Sequence, residues 1–218
     1  MKIMFKGFVC AAAVMAAVAI SGCASSSGYS KGGDAAKGMD KAAAEVQAIV
    51  QQTSLTLGSL SNLVNHPAPN LVPQYKEFTS ATKKLTSLSE SVDKKAADMR
   101  ERGDAYFAEW NKGATNITNA DLRKISEDRR NEVASAFAEV ADSLKRSKDA
   151  FDPFLSNLRD IQQVLNLDLT QGGLRSIQSV AKTASENGQK LKGALTEAAE
   201  DIESLAGKMS SSGPAPKS

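Results

Sequence analysis

Four long runs of heptad-like spacing constrain this chain more than any other feature of its sequence. In each run, apolar or small residues recur every three or four positions, which places them along one face of an α-helix. Two prolines, Pro67 and Pro69, separate the first run from the second, because neither residue can continue a helix. The runs span about Asp34–Asn65, Leu71–Lys112, Asn119–Leu167 and Thr170–Met209.

The connections between consecutive runs are short, which favours antiparallel neighbours in space. The sequence therefore predicts an all-α fold, an elongated antiparallel up-down helical bundle or coiled coil of about four helices. A proline inside the third run, Pro153, predicts a kink near Asp149 and not a break, because the heptad spacing continues through it. Folding the last two helices together places Gly188 opposite Phe151, so that a small residue faces a large one, as interdigitated packing requires.

The first 22 residues have the organisation of a bacterial lipoprotein signal peptide. Two lysines, Lys2 and Lys6, precede an apolar run of roughly 13 residues, which is shorter than the ~20 that a membrane-spanning helix needs. The run ends in a lipobox, Ile20-Ser21-Gly22-Cys23. We therefore predict cleavage between Gly22 and Cys23 and a lipid on the Cys23 thiol. The alternative is an ordinary signal peptide with a coincidental cysteine.

The lipid on Cys23 predicts where the mature chain is held. One acyl chain binds a membrane only marginally, whereas two or more hold it stably, so a diacyl or triacyl cysteine is a lasting anchor. The next residue is Ala24 and not aspartate, and the resemblance to Gram-negative lipoproteins then implies the outer membrane and its periplasmic face. Residues 23–33 are predicted to be the lipidated cysteine with a flexible Ser/Gly-rich tether, and residues 210–218 a disordered tail.

Charge and cysteine usage exclude several classes of function. Cleavage removes Lys2 and Lys6 from 27 basic residues and leaves 25 against 25 acidic ones, so the mature chain lacks the basic excess of nucleic-acid-binding proteins. Cys10 lies in the leader and Cys23 carries lipid, so no intramolecular disulfide is expected. The one histidine, His66, cannot form a His-based metal cluster or a catalytic triad. We expect no enzymatic activity, no metal and no cofactor apart from the covalent lipid.

One charged residue, Arg129, interrupts the apolar stripe of the third run. Arg129 faces Gly103 of the second run if the two helices fold about the turn near Asn116, and the glycine leaves room for a long side chain. One interpretation is a buried polar site at Arg129 and Gly103 that binds an anion. The other, which we favour, is an arginine that extends along the surface and pairs with Asp98 or Glu101.

Two further groups of residues suggest either a ligand site or ordinary core packing. Small residues in the helix seams leave room for an apolar ligand; they are Ser89, Ala96, Gly103 and Gly188. Aromatic residues at heptad spacing suggest a ligand box, although such spacing is far more typical of a hydrophobic core. These aromatic residues are Tyr106, Trp110, Phe137, Phe151 and Phe154.

Several short motifs in the second and third runs resemble a known family. They are Glu109-Trp110, Asn119 with Leu122-Arg123 and Ser126, and Pro153 with Leu155 and Leu158-Arg159-Asp160. Over about residues 35–208 the chain resembles bacterial lipoproteins grouped as domain of unknown function 2959. The resemblance implies an α-helical coiled-coil lipoprotein, and it implies no activity, cofactor or catalytic residue.

These observations favour an outer-membrane-anchored periplasmic rod with a structural or partner-binding role in the cell envelope. Candidate partners are envelope proteins, the cell wall or further copies of the chain, whereas nucleic acid is not expected. The alternative is a carrier that holds a lipid or another apolar ligand in the bundle core. An envelope hydrolase is a third interpretation, which the sequence favours least. The sequence is compatible with more than one oligomeric state.

Overall fold

A computed structural model describes residues 28–210, which form five helices and, within that range, no strand. The predicted signal peptide, the cleavage site between Gly22 and Cys23, and the segment after Ser210 lie outside the described residues. The helices are α1 (Gly28–Asn65), α2 (Val72–Ala114), α3 (Ala120–Leu167), α4 (Gln171–Ser176) and α5 (Gln178–Met209).

Helices α1, α2, α3 and α5 pack side by side in a ring, each antiparallel to its two neighbours. Helix α5 forms the most extensive interfaces, with α1 and α3, and α2 forms the least extensive ones. The 48 residues of α3 extend about 72 Å at 1.5 Å per residue, so the bundle is a rod. The predicted all-α up-down bundle is confirmed.

The two ends of the rod differ in the elements that they contain. We call one the hairpin end; it holds the start of α1, the α2–α3 connection and the end of α5. The other, the turn end, holds the α1–α2 and α3–α4 connections. Both the first and the last described residues, Gly28 and Ser210, therefore lie at the hairpin end.

Two helix boundaries differ from the prediction. Helix α1 begins at Gly28, six residues before the expected start at Asp34, so residues 28–33 are helical where a flexible tether was predicted. The fourth predicted helix is divided at Ile177 into α4 and α5. The chain enters α4 so tightly that a Cβ on Gly173 would lie 1.9 Å from the Asp168 carbonyl oxygen, and only glycine fits there.

A continuous apolar core runs along the bundle from Ala36 to Met209. Burying one leucine or phenylalanine side chain contributes about 1.5–3 kcal/mol, so this core is the main source of stability. None of the described helices combines the length and the apolar character that crossing a membrane requires. The largest fully buried side chains are Leu60, Leu63, Phe78, Leu85, Phe154, Leu158, Ile161, Leu165, Leu191, Leu195, Ile202 and Leu205.

The buried hydroxyl and amide groups in this core form hydrogen bonds of two kinds. Most donate a hydrogen bond to a backbone carbonyl three or four residues earlier in their own helix, which removes the cost of burying them. Thr56 and Gln52 of α1 also reach a second helix, since both donate to the Ala81 carbonyl oxygen of α2, at 3.3 and 3.2 Å. These two bonds fix the axial position of α1 against α2.

Helix α3 is continuous through Pro153, as the uninterrupted heptad spacing predicted. Proline lacks the N–H that would bond to the Asp149 carbonyl, a loss of about 3 kcal/mol or more in a helix interior. Phe151, Phe154 and Leu155 are buried on either side of it. Their packing against neighbouring helices offsets the missing hydrogen bond.

Candidate functional site

The hairpin end is built from helices of unequal reach. Helix α5 ends at Met209. The Arg129 guanidinium donates to the Lys208 carbonyl oxygen, which shows that the end of α5 lies level with Arg129 of α3. The nine residues Ala120–Asp128 of α3 therefore extend about 14 Å beyond the end of α5. They pair with the end of α2, where the Trp110 Nε1–H donates to the Ser126 Oγ at 2.9 Å.

A cavity of about 340 Å³ lies between α1 and α2 near this end. Its deepest residues are buried and mostly apolar, whereas Lys41, Asp98 and Arg102 on its edge are exposed. The arrangement suits a ligand with an apolar body and a polar head. The lining consists of Ala35, Gly38, Met39, Lys41, Ala42, Glu45, Asp98, Met99, Arg102, Gly103, Tyr106, Phe137 and Met209.

The cavity arises because small residues of two neighbouring helices face each other. Gly38 and Ala42 of α1 lie across from Gly103 of α2 in the cavity wall. The space beside Gly103 is taken on one side by the Phe137 ring, whose Cε1 lies 2.5 Å from where a Cβ would stand. On the α1 side, Gly38 and Ala42 supply no large side chain, and Met39 of α1 lines the gap that remains.

An aromatic cluster on α2 and α3 adjoins the cavity. Tyr106 contacts Phe107 and Trp110 edge-on, at ring-centroid distances of 5.4 and 5.6 Å. Phe107 contacts Phe137 edge-on at 5.7 Å, and Arg130 lies over the Phe107 ring at 5.4 Å. Such pairs add about 0.5–1.5 kcal/mol each beyond area burial, so the cluster stiffens the wall of the cavity.

All five aromatic residues of the predicted set lie in the core or pack against it, and three of them also form this cluster. Tyr106, Trp110 and Phe137 belong to the cluster, whereas Phe151 and Phe154 are buried further along α3. Burial raises the pKa of the Tyr106 hydroxyl, and the charge of Arg129 partly offsets that shift. Tyr106 therefore presents a neutral hydroxyl beside the cavity at neutral pH.

Of the two interpretations of Arg129, the structure contradicts the buried polar site with Gly103 and agrees with an arginine that reaches the surface. Arg129 is 42% exposed, pairs with Glu132 on its own helix, and donates to the last turn of α5. Lys208 also reaches Glu132, at 3.1 Å. Asp98 and Glu101, the partners expected from the sequence, are not those that Arg129 binds.

The error comes from the register of α2 against α3. Gly103 meets the Phe137 ring and Trp110 meets Ser126, so α3 is displaced from the predicted alignment by four to eight residues, about 6–12 Å. A heptad repeat is satisfied equally well by alignments one repeat apart, so the sequence pattern leaves the axial position of the two helices undetermined. The α3–α5 alignment was closer, since Gly188 meets Phe154, one turn from the predicted Phe151.

Arg129 has a structural role that the sequence did not indicate. Its guanidinium satisfies a carbonyl that the end of α5 leaves without an intrahelical partner, and its positive charge lies at the negative end of the helix dipole. Hydrogen bonds from Arg129 and Lys208, together with their charges, lower the pKa of Glu132. Arg129 therefore fastens the end of α5 to α3.

The small seam residues behave differently from one another. Gly103 borders the cavity, but Gly188 leaves no void, because Leu57 and Phe154 approach within 2.6 and 2.9 Å of its Cβ position. Ser89 is half-buried and its hydroxyl donates to the Thr86 carbonyl oxygen at 2.7 Å. Of these three residues only Gly103 borders a cavity, and the side chain of the fourth, Ala96, lies outside the part of the chain that the structure describes.

Within residues 28–210 no group of three or more His, Cys, Asp or Glu side chains is placed to hold a metal ion. His66 lies at the turn end, where its carbonyl oxygen accepts a hydrogen bond from Gln74 at 2.9 Å. The cavity and His66 are therefore at opposite ends of the rod. The Cys23 and Gly22 predictions remain predictions, because both residues lie outside the described range.

Comparison with known families adds one match. The family model described as "Protein of unknown function (DUF2959)" matches residues 24–209. This match confirms the family resemblance found in the sequence motifs. We find no match among curated proteins or among solved structures.

Proposed function

The chain belongs to the DUF2959 family, and from that premise we propose that it is a lipid-anchored rod of the cell envelope that binds a partner protein. Cys23 carries the lipid, the outer membrane holds it, and the bundle extends into the periplasm. Catalysis is not part of the proposal. The long, uninterrupted α1 is the observation that carries it.

Helix α1 sets the length over which the rod acts. Its 38 residues extend about 57 Å, and its first residue, Gly28, is five residues after Cys23. The turn end therefore stands at least that far from the start of α1. A membrane anchor at Cys23 would place the turn end deep in the periplasm, where a partner on another structure can be reached.

The turn end also presents apolar side chains to solvent. Leu167, the last residue of α3, is 91% exposed, and Val72 and Val164 are exposed nearby. The Tyr75 hydroxyl donates to the Asn166 Oδ1 at 2.8 Å, which holds the start of α2 against the end of α3. A rigid surface with exposed apolar residues is suited to protein binding.

Site-specific photo-crosslinking in cells tests the partner. A photoreactive amino acid at Leu167 is expected to capture a specific protein. The double variant Val72→Ser/Leu167→Ser is expected to lose the binding of that protein. A photoreactive amino acid at Leu55, which is 63% exposed on the side of the rod, serves as the matched control. Equal capture from both positions, or none from Leu167, would contradict the proposal.

Metabolic labelling with an alkyne fatty acid tests the anchor. The wild-type chain is expected to incorporate the label and to sediment with outer membranes. Cys23→Ser is expected to lose the label and to keep its leader. Labelling that persists in Cys23→Ser, or a wild type that carries no label, would overturn the anchor.

The cavity supports a second candidate function, the carriage of an apolar ligand. Its volume of about 340 Å³ is at the lower end of the range for small-molecule sites. Native mass spectrometry of protein extracted from membranes is expected to show a bound ligand that is reduced in Gly103→Ala. Gly193→Ala is the control, since a Cβ there meets open space. Ligand-free wild-type protein would remove this candidate.

A further inference from the structure

The tip of the α2–α3 hairpin, residues 112–125, exposes apolar side chains that no other described helix covers. Leu122 is 57% exposed and Ile125 is 63% exposed. The two residues are three positions apart in the first turns of α3, so they share one face of the helix. Helix α5 ends before it reaches them, which leaves this face open to solvent.

The tip lies on the side of the molecule from which the chain leads to Cys23. Gly32 of α1 is level with Met209, whose carbonyl oxygen lies 3.5 Å from the Gly32 Cβ position. The first described residue, Gly28, is therefore about 6 Å beyond the end of α5, and the tip about 14 Å beyond it. Four residues lie between Cys23 and Gly28, and the five steps from one Cα to the next span up to about 17 Å when extended. Cys23 and the tip can thus reach one plane.

The charge of the tip suits an anionic surface. Residues 112–125 form the part of the hairpin farthest from α5, and there Lys112, Arg123 and Lys124 stand against Asp121, a net charge of +2; Glu127 and Asp128 lie nearer to the end of α5. The Arg123 guanidinium donates through Nε and Nη2 to the Ile117 carbonyl oxygen, at 3.0 and 2.7 Å. These bonds hold the connecting loop against α3, so the exposed residues are presented on a rigid support.

We propose that the hairpin tip docks on the anionic phospholipid surface of the membrane that holds Cys23, with Leu122 and Ile125 inserted among the lipids. Basic side chains beside exposed apolar residues are the combination that binds an anionic bilayer surface. The inference rests on the proposed lipid anchor, which brings that surface within reach. A second contact besides Cys23 would fix the angle of the rod to the membrane.

Chemical tethering tests the contact without relying on lipidation in cells. Residues 23–218 contain one thiol, Cys23, and retain the entire described core, which begins at Ala36. The thiol is coupled to a maleimide lipid in vesicles of phosphatidylethanolamine and brominated phosphatidylglycerol. Trp110, the one tryptophan, bonds to Ser126 next to Ile125 and reports proximity to the brominated chains.

Quenching of Trp110 is expected to be roughly twofold or more stronger in the wild type than in Leu122→Ser/Ile125→Ser. Leu55→Ser, an equally exposed leucine on the side of the rod, is the control and is expected to quench like the wild type. Brominated phosphatidylcholine in place of phosphatidylglycerol is expected to weaken the effect. Thermal unfolding verifies that each variant is folded.

Equal quenching in the wild type and the double variant would overturn the proposal. A dimer in the absence of vesicles that depends on Leu122 and Ile125 would also overturn it, since a second copy would then cover the tip. Failure of this experiment leaves the Cys23 anchor standing, whereas loss of that anchor is seen only in the labelling experiment. The two failures are therefore distinguishable.

Discussion

The two halves of the rod use one heptad pattern and pack differently. In the half toward the turn end, the space beside Gly188 of α5 is occupied by Leu57 and Phe154, which belong to the two helices that flank α5. In the half toward the hairpin end, Phe137 occupies the space on one side of Gly103 of α2, and a cavity lies on the other side. The difference lies in what faces the glycine.

A glycine in a helix seam therefore does not by itself determine whether the helices pack closely or leave a void. It becomes a close contact where both neighbouring helices supply a large side chain, as Leu57 and Phe154 do at Gly188. It borders a cavity where a neighbour supplies another small residue, as Gly38 does near Gly103. The first two of the four predictions that follow test whether the halves differ in this way.

Truncating a phenylalanine in each half gives the largest expected effect. Phe154→Ala is expected to lower the free energy of unfolding by about 3–5 kcal/mol, because the ring is fully buried in a closed region. Phe137→Ala is expected to cost less by about 1 kcal/mol or more, because its ring already borders the cavity. Urea unfolding followed by circular dichroism measures both. Equal losses would erase the distinction between the halves.

Adding one methyl group at each glycine sharpens the comparison. Gly188→Ala is expected to destabilise the chain by about 1–3 kcal/mol, because its Cβ meets two side chains that have no free space. Gly103→Ala is expected to be near neutral, because the Phe137 ring can shift into the cavity while the helix gains up to about 1 kcal/mol of propensity.

Gly193→Ala serves as the reference for helix propensity alone, since nothing lies near its Cβ position. Thermal unfolding of the three variants should rank Gly193→Ala as the most stable and Gly188→Ala as the least stable. A Gly103→Ala variant as unstable as Gly188→Ala would mean that the Phe137 ring cannot shift into the cavity.

Two buried threonines in the closed half test the bond between α1 and α2. Thr56→Val removes a hydroxyl that donates to the Gln52 carbonyl oxygen of its own helix at 2.9 Å and also to the Ala81 carbonyl oxygen of α2 at 3.3 Å, and it is expected to cost about 1 kcal/mol. Thr53→Val removes a hydroxyl that bonds only to the Ile49 carbonyl oxygen of its own helix, and it should cost less. Chemical denaturation compares the two. A larger loss of stability for Thr53→Val would contradict the hydrogen bond between Thr56 and Ala81, and with it the register of α1 against α2.

An ion pair at the hairpin end gives the smallest expected effect. The pKa of Glu132 is lowered by Arg129 and Lys208, so the contribution of the carboxylate to stability is present above the ordinary pKa of glutamate. That contribution is lost as the pH falls through the lowered pKa. Glu132→Gln is therefore expected to show a slightly lower Tm than the wild type at neutral pH.

The Tm difference between Glu132→Gln and the wild type should close in acid, and high salt should shrink it at neutral pH, since the groups are exposed. Scanning calorimetry across this pH range makes the comparison. A difference that grows as the pH falls would contradict the lowered pKa of Glu132.

The sequence predicted the bundle because its signals are local. Prolines at positions 67 and 69 mark the first connection, because neither residue can continue a helix. Heptad spacing then gives the helix faces. These features depend on neighbours in the chain, so one sequence is enough to find them.

The parts that the sequence did not predict depend on residues far apart in the chain. Residues 28–33 have the composition of a tether, yet they are helical where Gly32 and Ala36 lie buried beside α5. Tertiary packing there overrides low helix propensity. The cavity likewise needs Gly38 and Gly103 at one level of the rod, and repeats one heptad apart leave that level undetermined.

The placement of Gly28 and Ser210 at one end has a mechanical consequence. A pull between these two ends of the described chain would peel α1 from α5 one contact at a time, beginning at Gly32 and Met209. A pull between Cys23 and a partner at the turn end would instead load α1 along its axis, so that all of its contacts resist together. The same bundle would then yield easily to the first load and sustain the second.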